Sequence, residues 1–201
     1  LSVGEDGASH QSIEDIALMR VLPGMTILVP CDPFETRKAV FAAASLDGPV
    51  YIRVARPVVE VITNEDSAFA IGKANIMREP GDVCIVATGL MVKEALAAAE
   101  RLSLHGIKAG VINMHTLKPI DAELILEIAS QCRAVVTAEE HSIIGGLGSA
   151  VAEVLVGKSN IKFARIGIQD KFGRSGKPVD LFKAYGLTAD DIVQQCIMLL
   201  E

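Results

Sequence analysis

The chain has 201 residues, half of them hydrophobic, with 19 Lys and Arg against 25 Asp and Glu for a formal net charge of −6. That is enough apolar material for one generous or two small domains with a sizeable core. The acidic balance speaks against nucleic acid and against anionic membrane surfaces as partners. No apolar run approaches the roughly 20 residues of a membrane span, so the chain reads as cytoplasmic.

The first stretch, Gly4 to Arg20, holds a carboxylate and an imidazole on a glycine-bounded loop ahead of a helix. Asp6 lies between Gly4 and Gly7, which predicts a tight turn, and His10 follows four residues later. Ser12 and Asp15 form an S-x-x-D capping box, so a helix is expected from about Ser12, burying Ile13, Ile16, Ala17 and the stem of Arg20. Such a loop is held by its neighbours yet open to solvent, a common place for catalytic groups. Spacing alone favours the plainer reading, a turn-capping Asp6 and a surface His10.

Met25 to Val29 reads as a short buried strand, and Asp32-Pro33-Phe34-Glu35 opens a helix running to about Leu46. Val50 to Val54 gives another strand carrying Arg53, with Arg56 just beyond it before Pro57. Two arginines at one strand end of an acidic chain make a local cationic point suited to phosphate oxygens, or to an ion pair with one of the many acids. Acidic and small residues, Gly72 and a Glu79-Pro80-Gly81 turn break the rhythm between about Thr63 and Asp82.

A second series follows: strand Val83 to Ala87, helix Val92 to His105, strand Ile107 to Asn113, helix Asp121 to Gln131, strand Ala134 to Ala138, helix Gly146 to Val156 and strand Ile161 to Ile166. Helices Val179 to Tyr185 and Ala189 to Leu200 close it, the last capped by Thr188 with Asp191. The alternation predicts an α/β fold of mostly parallel sheets with helices on both faces. Cys31, Cys84, Cys132 and Cys196 are dispersed in apolar contexts and read as reduced core thiols rather than a zinc site. Gly145 to Ser149 precedes a helix but fits neither nucleotide fingerprint, so close strand-to-helix packing is the expectation there; His115, Lys118 and His141 are read as structural or interface residues.

The run Gly4 to Gln11 resembles the GEDGPTHQP-type signature of the transketolase pyrimidine domain, with Ala8 for the usual Pro and Ser9 for the usual Thr. MHTLKPID at Met114 to Asp121, EEHSIIGGLG at Glu139 to Gly148 and RSGKP at Arg174 to Pro178 resemble the transketolase C-terminal domain. The resemblance covers essentially the whole chain. It implies the end of a pyrimidine-binding domain over residues 1–63, a linker over 64–81 and a complete C-terminal α/β domain over 82–201.

The implied activity is transfer of a two-carbon ketol unit from ketose phosphates to aldose phosphates, in the pentose phosphate pathway, using thiamine diphosphate and a divalent metal, Mg or Ca. The family residues matching Asp6 and His10 line the substrate channel, the one matching Arg56 binds the sugar phosphate, and Arg53 is a second candidate beside it. The metal-binding GDG-type motif and the glutamate that activates the aminopyrimidine ring are not encoded in these residues, so no cofactor or metal is expected on this chain alone. The implied partners are sugar phosphates, a missing N-terminal half or subunit, and a further copy of the chain, as in the dimers of the family. A deoxyxylulose-phosphate synthase, which usually carries a DDGPTH-type run and lacks RSGKP, is the alternative; a non-catalytic assembly module is the reading from another class.

Overall fold

The computed structural model describes residues 1–201. Two sheets share the chain. In the first, β1 (Thr26–Leu28) pairs in parallel with β2 (Val50–Ile52) and antiparallel with β6 (Thr116–Lys118), giving the order β2-β1-β6. The second has the order β3-β5-β4-β7-β8, built from β3 (Asn75–Arg78), β4 (Val83–Ala87), β5 (Ala109–Asn113), β7 (Ala134–Ser142) and β8 (Lys162–Ile168). Its pairs are parallel except β3 with β5.

Every residue of β4 is buried, as expected of a central parallel strand covered on both faces. Alternation along it sorts the core in two. Val83, Ile85 and Ala87 pack with α3 (Met91–Leu104) and α7 (Ala189–Leu200) on one face. Cys84 and Val86 face the other, with Leu147 and Val151 of α5 (Leu147–Leu155), Ile125 of α4 (Ala122–Gln131), and Ile27 and Val29 from β1 and its end. The first sheet and the second therefore share one apolar cluster.

Several predicted ends hold for the predicted reason. Asp32 accepts the Glu35 amide at the start of α2 (Pro33–Ala44) at 2.9 Å, with Pro33 in the first turn. Thr188 and Asp191 form a reciprocal capping box on α7. All four cysteines are free, and Cys31, Cys84 and Cys196 are buried.

The Ser12–Asp15 box does not form. Helix α1 spans Asp15–Arg20 without a side-chain cap. The Asp15 carboxylate is taken instead by Tyr51, whose hydroxyl donates at 2.7 Å, and by Arg53 Nε at 3.0 Å. Two strands were not foreseen: β3 lies inside the stretch expected to break the rhythm, and β6 is too short, ending before Pro119, to show a period. Strand β7 also continues past Ala138 through Glu139, Glu140 and His141, all buried, because their polar groups are satisfied inside the protein.

Candidate active site

Gly4–Asp6 form a single 3₁₀ turn bounded by Gly4 and Gly7, each at φ +79°, a left-handed conformation that glycine adopts without penalty. The amides of His10 and Gln11 both donate to the Gly7 carbonyl, at 3.0 and 3.2 Å, which curls the backbone and leaves the His10 ring exposed. Its Nδ1 lies 3.0 Å from Ser9 Oγ. The turn thus presents Asp6 and His10 on a fixed backbone with their side chains in solvent.

The two arginines part company beyond β2. Spaced by three, they do not share a side of the extended chain. Arg53 turns inward, with its side chain 18% exposed, donating to Asp15, to the Ser12 carbonyl at 2.9 Å and to the Glu140 carbonyl at 3.0 Å. Arg56 turns outward, 64% exposed, and its Nη1 pairs with the Asp6 carboxylate. Burial and the bond to Asp15 push the Tyr51 hydroxyl up to about 12, so it stays a proton donor to that carboxylate.

His10, Arg53 and Arg56 line one cleft of about 310 Å³, together with Gln11, Asp15 and Tyr51. Asp6 joins them through Arg56. The size falls in the range of small-molecule sites, and the exposed groups are an imidazole, a carboxylate and a guanidinium. That set can move a proton, accept a hydroxyl hydrogen and bind an anion. Arg53 contributes differently, since most of its donors are already spent within the chain. Sequence reading missed Gln11, Asp15 and Tyr51; Gln11 adjoins His10, but nothing in its spacing announces burial.

Among the remaining motif residues, Glu139, His141 and His115 face inward. Glu139 Oε2 and Oε1 accept the Leu147 and Gly148 amides at 2.6 and 2.8 Å, so the start of α5 is already occupied by an internal carboxylate and offers no phosphate cradle. A Cβ on Gly146 would stand 1.9 Å from Glu139 Oε2. Burial pushes the Glu139 carboxyl up to about 7 and holds His141 below the usual imidazole range. His115 stacks on Phe69 with centroids 4.3 Å apart, and burial lowers it to about 4. Lys118 Nζ donates to the Arg20 and Leu22 carbonyls at 2.8 and 2.7 Å.

No group of three or more His, Cys, Asp or Glu side chains is arranged to hold a metal ion. No helix is long and apolar enough to cross a membrane.

Comparison with known proteins shows which family the chain resembles. The family description "Transketolase, C-terminal domain" matches residues 72–192, and "Transketolase, pyrimidine binding domain" matches residues 1–61. The chain is 48% identical over 198 residues to a "Putative transketolase C-terminal section" of Methanocaldococcus jannaschii, covering 97% of this chain and 62% of that protein. It is 48% identical over 189 residues to the "6-deoxy-6-sulfo-D-fructose transketolase subunit SqwH" of Clostridium sp. (strain MSTE9), covering 94% of this chain and 59% of that protein. Among solved structures, "Split gene transketolase, inactive beta4 tetramer" superposes with a TM-score of 0.90 at 49% identity, over 96% of this chain and 62% of that one. The chain thus spans about three fifths of the length of these relatives. Transketolases rather than deoxyxylulose-phosphate synthases are what it resembles, and the chain belongs to the transketolase family.

Proposed function

We propose that this chain supplies the substrate-side residues of a thiamine-diphosphate-dependent transketolase whose cofactor cage and metal, magnesium or calcium, are held by another part of the assembly. The observation that carries the reading is the gathering of His10 and Arg56, from two separate segments, along one cleft, with Asp6 of the His10 loop paired to Arg56. Thiamine diphosphate, when bound, supplies the nucleophilic carbon that takes up the two-carbon unit. The residues of this chain bind and orient the sugar.

Arg56 holds the anionic end of the donor with a planar, permanently charged fork. Asp6, fixed on its turn, accepts from a donor hydroxyl of one configuration. His10 moves the proton of the hydroxyl beside the carbon–carbon bond that breaks, a task suited to an imidazole near neutral pH. Relatives named for a sulfonated fructose and for apulose 4-phosphate support an anionic ketose as donor, since one guanidinium suits either terminal group.

The chain alone is expected to be inactive and to self-associate, as the inactive β4 tetramer of its structural relative suggests. The test is to assay it for ketol transfer from a ketose phosphate to an aldose phosphate, alone and with the polypeptide that carries the cofactor-binding part. Turnover only in the mixture is the expected result. Turnover by the chain alone would refute the division of labour, and none in either case would refute the reading as a whole.

A further inference from the structure

Gln11 is 6% exposed and lies at the seam between the Asp6–His10 loop and the Arg174–Pro178 run of the second unit. Its Nε2 donates to the Gly4 carbonyl at 3.1 Å, closing the glycine-bounded turn, and to the Arg174 carbonyl at 2.9 Å, 163 residues away in sequence. Its Oε1 is buried without a hydrogen-bond partner and faces Gly173, where an added Cβ would stand 1.9 Å away. A carboxamide buried with one half unsatisfied costs stability, so its place needs a compensating reason.

Other contacts converge on the same turn. A Cβ on Gly7 would meet Ser175 Oγ at 2.6 Å, and one on Gly4 would meet Pro178 Cδ at 3.1 Å. Just downstream, the Ser142 amide donates to the Ile13 carbonyl at 2.8 Å, and Arg53 ties the Ser12 carbonyl to that of Glu140. The backbone that displays Asp6 and His10 is therefore shaped from outside its own segment.

We propose that Gln11 is a positioning residue through which the second α/β unit, by its Gly173–Pro178 segment, sets the shape of the loop displaying Asp6 and His10. The inference deepens the functional reading and rests on it for the consequence in catalysis; the geometry of the loop can be read without it. Gly173 lies outside the left-handed region, so an alanine there is allowed by the backbone and acts through its contact with Gln11.

The test compares Gln11→Ala, Gly173→Ala and the double variant. In the chain itself, the His10 ring Cε1–H proton resonance, assigned by its disappearance in His10→Ala, is followed by NMR alongside the melting temperature. In the assembled enzyme, kcat and KM for a ketose phosphate donor are measured. Each single change is expected to move the His10 resonance and to lower kcat about tenfold with little change in KM, the scale of a displaced reacting group. The double variant is expected to be no worse than Gln11→Ala, because Gly173→Ala has nothing left to push. An unmoved His10 resonance in folded variants overturns the proposal, as does a double variant whose loss is the product of the two single losses. A moved resonance with unchanged kcat upholds the positioning and instead refutes the assignment of proton transfer to His10.

Discussion

Two glycine-rich segments of this chain are built from the same ingredients and put them to opposite uses. Gly4 to His10 and Glu139 to Gly148 each combine carboxylates, a histidine and glycines, and each precedes a helix. In the second, the carboxylate of Glu139 turns back onto the helix amides and His141 is fully covered, so the polar groups are consumed inside. In the first, the Gly7 and His10 amides are met by the Gly4 and Gly7 carbonyls, and the Asp6 and His10 side chains are left over, exposed beside the cleft that His10 lines. Where the backbone amides find their partners decides which segment keeps free side chains.

The contrast can be broken most severely at Glu139. Glu139→Ala leaves two buried amides and a cavity, and is expected to cost about 3–5 kcal/mol, read as a large fall in melting temperature. Glu139→Gln, which keeps one acceptor, is expected to cost about half as much. A loss within about 0.5 kcal/mol, with added inorganic phosphate raising the melting temperature, would show that the start of α5 is an anion site after all.

The buried histidines sharpen it through pH. His115 is neutral when folded, its imidazole lowered by burial to about 4 from 6.5, so the unfolded chain binds more protons between those values. Stability from this group is complete above pH 6.5 and is lost as pH falls toward 4, by about 3 kcal/mol at most. His141 acts in the same direction, while Glu139, raised by burial to about 7, acts in the opposite one, losing stability as pH rises from about 4.5 to 7. Urea denaturation at pH 7 and 4.5 is expected to show a flatter pH dependence in His115→Phe than in the parent chain.

On the exposed side the effects are expected in catalysis rather than stability. His10→Ala is expected to lower kcat roughly 10²-fold in the assembled enzyme while shifting stability by less than about 0.5 kcal/mol. A raised KM with unchanged kcat would make it a binding contact only. Arg56→Ala is expected to raise KM for phosphorylated donors by the equivalent of about 1.5 kcal/mol and to spare unphosphorylated analogues. Asp6→Ala should separate donors by hydroxyl configuration, and equal losses for all would reduce Asp6 to a partner of Arg56.

The alternation of buried strands and helices was legible because β-branched runs and capping residues such as Asp32 and Thr188 act locally. What escaped depends on distant partners. Ser12 and Asp15 have the spacing of a cap, but Tyr51 and Arg53 outcompete the helix amides for Asp15. Spacing by three could not say which of Arg53 and Arg56 turns inward, since that depends on the Ser12 and Glu140 carbonyls. The cleft itself was half visible: His10, Arg53 and Arg56 stand out in sequence, with Asp6 paired to Arg56, whereas Gln11 is tied in by a contact 163 residues away.

Strand β6 leaves the second unit after β5 and completes the first sheet beside β1, with the register Ile27 to Lys118 and Leu28 to Thr116. A cut in the connecting stretch between β2 and β3 would therefore yield a nicked molecule rather than two separable pieces. The halves would remain interlocked on a gel filtration column and come apart only in denaturant, in a single cooperative transition. Grafting the first unit onto a different neighbour would mean carrying β6 of the second along with it.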